Sequence, residues 1–333
     1  MEYSSLFFGT DRHMMKLTRH FIREIPLIVL IYFIICPMSF SFSHDHVAVL
    51  ISNDVPAYTA PIKAFTAELG LPVNIYDLEG DVNHASTIMG KIYDRHPSLI
   101  YVLGAKAAYA AKNESIRRKK KNIPIVFSMV LNWERYDLLK GAPHITGVSA
   151  DVDPGTQFAY MRLFAPHVKK IGVIYSKTHS TFKIEKAMIV SEILNVDLIA
   201  VPISHHKEFR KAFNDIYKEI DAFWILADPV IFTPRNMEWL KDKCIDNHII
   251  NMGQSRNIAD LGILLAVNID PQDIGVQSAS IAKNILFRNQ ETKTIGVMPP
   301  LGTELILNIK TAVKIGLDVH DDAKNLANKI IVD

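Results

Sequence analysis

Val47-Ala-Val-Leu-Ile-Ser52 and, 124 positions later, Ile171-Gly-Val-Ile-Tyr-Ser176 are short apolar runs that each end in serine. Such a run, closed by a turn-forming residue, reads as a parallel strand buried on both faces. The sequence downstream repeats in step. Leu69-Gly-Leu-Pro-Val-Asn-Ile-Tyr-Asp-Leu78 is matched after 125 positions by Leu194-Asn-Val-Asp-Leu-Ile-Ala-Val-Pro-Ile203. Ile100-Tyr-Val-Leu-Gly-Ala105 is matched after 123 by Phe223-Trp-Ile-Leu-Ala-Asp228, and Ile125-Val-Phe-Ser-Met-Val130 after 124 by Ile249-Ile-Asn-Met-Gly-Gln254. That interval is far longer than a solenoid repeat and implies two similar lobes.

Helical stretches such as Ala57 to Glu68 and Phe182 to Leu194 alternate with these strands. The alternation gives βαβ units, whose right-handed crossovers build an open parallel sheet covered on both faces. The fold class is therefore α/β, with two Rossmann-like lobes joined by a hinge. Asp153-Pro154, Thr233-Pro234 and Asp270-Pro271 each offer an N-cap with proline at the first helical position. Asp151 beside Asp153 is read as part of that capping rather than as a catalytic carboxylate pair.

The predicted organisation is residues 44–145 plus about 271–296 for lobe 1 and 146–270 for lobe 2. The boundary falls near His144 to Asp151, and a second crossing lies around Val267 to Asp270. The helix from Gln272 to Leu286 is expected back on the first lobe, because the second has by then used its four strands. The lobe that takes 297–333 is left open by pattern alone.

Residues 1–43 read as a secretory leader with an over-extended start before Met14 or Met15. Lys16, Arg19 and Arg23 precede the apolar run Leu27 to Ile35, which is too short for a membrane span of about 20 residues. Ser41 and Ser43 place the mature start near His44. Bulky Ile35 before Cys36 and Pro37 after it argue against lipid attachment. A periplasmic location is expected, without a membrane tether.

The chain has 37 basic and 35 acidic residues, a net charge of +2, 49% hydrophobic and 22% charged residues. That is a folded globular composition with no single-sign field to draw nucleic acid. Arg117-Arg-Lys-Lys-Lys121 has no interleaved aromatics and reads as a solvated helix end. His44-Asp-His46 and His205-His206 lack the spaced partners of a metal site. No Gly-x-Gly-x-x-Gly follows Ser52, no Walker loop occurs, and Gly253-Gln-Ser255 lacks the glycine of a nucleophile elbow. No cofactor is called for. With Cys36 in the leader, Cys244 has no intramolecular partner, so the fold must stand without disulfides.

Ile123-Pro-Ile-Val-Phe127, Ile145-Thr-Gly-Val-Ser149 with Asp153-Pro154, Lys170-Ile-Gly-Val-Ile-Tyr175 and Asp270-Pro-Gln-Asp-Ile-Gly-Val-Gln277 together carry a family resemblance. So does the closing Leu307 to Leu317. The chain resembles the ABC-transporter substrate-binding proteins of the tryptophan/tyrosine-binding type, from about Val47 to Ile331. The resemblance implies the type I periplasmic-binding-protein fold, ligand capture between hinged lobes, delivery to a permease with a cytoplasmic ATPase, and no catalysis. The chain departs from the family pattern at Gly104-Ala105, at Met129 to Glu134, and at Tyr175-Ser-Lys-Thr-His-Ser180.

Ligands of open parallel sheets bind outside the carboxyl ends of the strands, where helix N-termini present free N–H groups. The candidate binding set is thus Ser52, Asn53, Tyr58, Gly104, Ala105, Asn132 and Trp133 from the first lobe. Ser176, Ser180, Asp228, Gln254 and Ser255 come from the second. For a zwitterionic ligand, Asp228 is expected to take the ammonium, Ser180 and the Gly104 and Ala105 amides the carboxylate, and Tyr58 and Trp133 the side chain. The whole reads as a monomeric transport protein for a small organic molecule, such as an amino acid or aromatic compound. The alternatives are a periplasmic sensor partnering a membrane signalling protein, disfavoured because no output domain is fused before Asp333, and a two-lobed transferase or other Rossmann-like enzyme.

Overall fold

The computed structural model describes residues 46–332 except 121, 122 and 232. The segment 1–43 read as a leader, with Cys36, Ser41 and Ser43, lies outside the described residues, as do His44 and Lys121. In chain order the strands are β1 (Val47–Ile51), β2 (Val73–Asp77), β3 (Leu99–Leu103), β4 (Ile125–Val130), β5 (Ile145–Ser149), β6 (Lys170–Ser176) and β7 (Asp197–Ile203). Then follow β8 (Ala222–Ile225), β9 (Ile250–Gln254), β10 (Leu265–Ile269), β11 (Val297–Met298), β12 (Thr303–Asn308) and β13 (Lys329–Ile331).

Two sheets result. The first has the order β11-β5-β4-β3-β1-β2 and the second β13-β12-β10-β9-β8-β6-β7. Every pairing is parallel except β10 with β12. In both lobes the first strand lies between the second and third, as equivalent right-handed βαβ crossovers require. β1 and β3 are buried along their whole length, which explains their unbroken apolar runs. The edge strand β2 instead leaves Ile75 exposed.

β5 pairs with β4 and β11 in the first sheet, so residues 145–149 belong to that sheet and a second lobe counted from 146 starts too early. The chain crosses at Ala150–Val152 and the helix Pro154–Phe164 packs on the second lobe. It returns after β10, and the helix Pro271–Arg288 lies against the helix Thr59–Leu69 and against β4 and β5. Gly275 makes that contact: a Cβ there would collide with the Pro61 carbonyl oxygen and stand 2.8 Å from the Ala64 Cβ. The third crossing follows β11, and β12 and β13 complete the second sheet. The Asp270 N–H donates to the Gly302 carbonyl at 3.1 Å, binding the last two crossings together.

The three Asp/Thr-Pro signals are N-caps. The Asp153 side chain accepts from the Gly155 N–H, Thr233 from Asn236, and Asp270 from Gln272 and Asp273. The basic run after Ile116 is not simply solvated: Arg117 and Arg118 both grip Glu114 and reach Ser86.

Cys244 is buried and unbridged, and burial pushes its thiol up to about 12. Thiolate, the reactive form, is therefore absent at pH 8 in the folded chain. Alkylation at pH 8 followed by peptide mapping should leave Cys244 unmodified in buffer and modify it fully in denaturant. Labelling in buffer would mean that the second lobe opens.

Candidate functional site

At the tips of β1 and β3, Ser52 stitches two loops. Its hydroxyl donates to the Leu103 carbonyl at 3.1 Å and accepts the Ala107 N–H at 3.0 Å. Tyr58 closes over the same point; burial raises its phenol above the ordinary value, partly offset by a hydrogen bond with Ser52. Gly104 has φ +88°, and a Cβ there would run into the Tyr58 hydroxyl and lie 2.6 Å from Ser52 Oγ, so only glycine fits. Ala105 begins the helix that follows, while Asn53 is exposed.

The second lobe closes the equivalent point with a carboxylate. Asp228 is 0% exposed and accepts from the Ser176 N–H and hydroxyl, both at 2.9 Å to Oδ2, and from the Ser180 hydroxyl at 2.7 Å. Its Oδ1 accepts the Val230 N–H at 2.9 Å. Asp228, expected to take a ligand's ammonium, is here buried with its oxygens accepting from its own lobe. Ser180 is likewise buried and committed to Asp228.

A cavity of about 170 Å³ lies between the lobes. From the first lobe and the crossing segments come Trp133, Glu134, Asp151 and Met298; from the second come Phe182, Lys183, Lys186, Trp224 and Gln254. Asn132 adopts a left-handed conformation with φ 50°, which asparagine tolerates better than most residues, and so turns the chain toward Trp133. Trp224 is held from behind, its indole N–H donating to Gln157 at 2.9 Å and its ring meeting Phe158 edge-on at 5.1 Å.

Among the described residues, two ion pairs at this cavity tie the second lobe to the first crossing and to the first lobe. Lys183 meets Asp151 Oδ1 at 2.5 Å, with side chains 13% and 15% exposed. Lys186 meets Glu134 Oε1 at 3.3 Å and lies 4.5 Å from the centre of the Phe182 ring. Asp151 Oδ2 also accepts the Asn132 N–H at 2.6 Å. Gln254 holds the first crossing: its amide donates to the Ala150 carbonyl at 2.5 Å and its carbonyl accepts the Val152 N–H at 3.3 Å.

Of the twelve expected residues, Trp133 and Gln254 line this cavity; the other ten do not. Ser52, Tyr58 and Gly104 form one cluster and Ser176, Ser180 and Asp228 another, each spent on its own lobe's loops. Ser255 caps the helix Arg256–Asp260 at φ 109°, a strained conformation for a non-glycine residue. Sequence reasoning missed Glu134, Lys183, Lys186 and the cleft role of Asp151. The only available signal was two lysines three apart in the helix Lys177–Ile193, a pattern shared with any solvated face.

A family model described as ABC transporter substrate binding protein matches residues 71–331. The chain is 23% identical over 250 residues to the tyrosine-binding protein of Clostridioides difficile (strain R20291), covering 72% of this chain and 69% of that one. A ligand-free, open substrate binding protein with adhesive properties from Clostridium difficile has the same fold, with TM-score 0.72, 18% identity, and 87% of this chain and 100% of that one covered. An ABC domain in complex with L-Trp from Streptococcus pneumonia matches with TM-score 0.59, 18% identity, and 86% and 100% covered.

Proposed function

We propose, from the premise that this chain belongs to the ABC transporter substrate binding protein family, that it captures an aromatic amino acid between its lobes outside the cytoplasm. It then delivers the solute unchanged to a permease driven by a cytoplasmic ATPase. The observation that carries this reading is the inter-lobe cavity, walled by the Trp133 and Phe182 rings, backed by the buried Trp224 and bordered by charges of both signs. Rings supply large apolar contact, and fixed charges orient a polar solute. The ligands named for two relatives, tyrosine and L-Trp, are of that class. The leader reading of residues 1–43 supports export, and among the described residues no helix is long and apolar enough to cross a membrane.

Closure on a ligand shifts a population toward the bound form and stabilises the folded state. Purified protein at a ligand concentration of 100 Kd should gain about 2.7 kcal/mol, a rise of roughly 5–10 °C in melting temperature. The panel is tyrosine, tryptophan, phenylalanine, the other amino acids and aromatic acids. Bound solute recovered by mass spectrometry is expected unaltered. A flat panel defeats the reading.

A further inference from the structure

We propose that Lys183 and Lys186 form a two-ammonium clamp for the solute's carboxylate, and that Glu134 receives its ammonium group. This rests on the binding role proposed above and assigns the head-group chemistry to residues outside the strand-tip set.

The two lysines lie three residues apart in the helix Lys177–Ile193, so their side chains are neighbours on one face, and both line the cavity. An ammonium group carries three donors. Lys183 faces Asp151 as an ion pair without a hydrogen bond, and Lys186 spends one donor on Glu134; no further hydrogen bond or ion pair engages either among the described residues. Lys183 is largely withdrawn from water, where unmade hydrogen bonds of a charged group are costly. A carboxylate is the group that satisfies both lysines at once, by charge-assisted bonds.

The two acids are not equivalent. Asp151 is neutralised by Lys183, which stands at ion-pair distance from Oδ1 without a hydrogen bond, and its Oδ2 accepts the Asn132 N–H and the Ser149 hydroxyl. Asp153, also at the cavity, caps its helix. Glu134 uses Oε1 for Lys186, and its Oε2 has no partner among the described residues. Its carboxylate, 19% exposed, is the acceptor left for an incoming ammonium. A solute carrying both charges therefore fits the charge pattern, whereas an aromatic amine meets the clamp with nothing to offer it.

The test is calorimetric titration of the purified protein with L-tyrosine and L-tryptophan. Alongside run tyramine and tryptamine, which lack the carboxylate, and the matching deaminated acids. Loss of charge-assisted bonds to two lysines predicts amines bound at least ~100-fold more weakly than the amino acids. Lys186→Gln should weaken the amino acids about tenfold and leave the amines unchanged, while Glu134→Gln should weaken the amino acids and spare the deaminated acids. Both side chains reach solvent, and melting curves verify that the variants fold. Amines bound as tightly as amino acids, or Lys186→Gln weakening both alike, would overturn the clamp while leaving the binding role intact. Failure of every aromatic compound to bind the wild-type chain would remove the role and the clamp together.

Discussion

Asp228→Ala should destabilise the second lobe by about 3–5 kcal/mol, because it removes a buried acceptor and strands the donors that converge on it. The Ser176 N–H and hydroxyl, the Ser180 hydroxyl and the Val230 N–H all point at this carboxylate, which water does not reach. Asp228→Asn keeps one acceptor oxygen but turns an NH2 toward the remaining donors, and about 2 kcal/mol should be lost. Urea denaturation followed by tryptophan fluorescence measures both. An alanine variant that melts like the wild type would show that water replaces the carboxylate, and that these loops do not depend on it.

The second large effect is expected at the crossing. Asp151→Ala leaves the Lys183 ammonium mostly buried without its counter-charge and the Asn132 N–H without its acceptor. Breaking one side of a buried pair typically costs about 3–5 kcal/mol. Removing both charges avoids the uncompensated ion, so Asp151→Leu combined with Lys183→Met should recover more than half of the loss. A double-mutant cycle from melts of the four proteins gives the coupling. Strict additivity of the two single changes would mean that Lys183 and Asp151 are solvated separately and do not bind the lobes to each other.

The cluster at the first lobe's tips shows how polar residues after a strand are engaged by their own lobe. Ser52 and Ser176 are equivalent by the repeat, and both fasten the end of their lobe's first strand to the loop after the third. One uses a carbonyl and an N–H and the other a buried carboxylate. Short polar residues there have enough local work to be used up before any solute arrives. Gly104 is explained by φ +88° and by the space taken by Tyr58 and Ser52.

Strand identity, the twofold repeat, the three proline-flanked caps and the α/β class were legible in the sequence, because each depends on neighbours a few residues away or on a period that survives in the one-dimensional string. Tertiary structure alone decided that residues 145–149 extend the first sheet and that 297–331 is shared between both sheets. It also paired Lys183 with Asp151 and Lys186 with Glu134 across the cleft. Those partners are 32 and 52 positions apart; Glu134 belongs to the first lobe and Asp151 to the crossing, while both lysines belong to the second lobe. Coulomb attraction acts through space, so nothing in the local pattern of a lysine distinguishes one that will face another lobe from one that will face water.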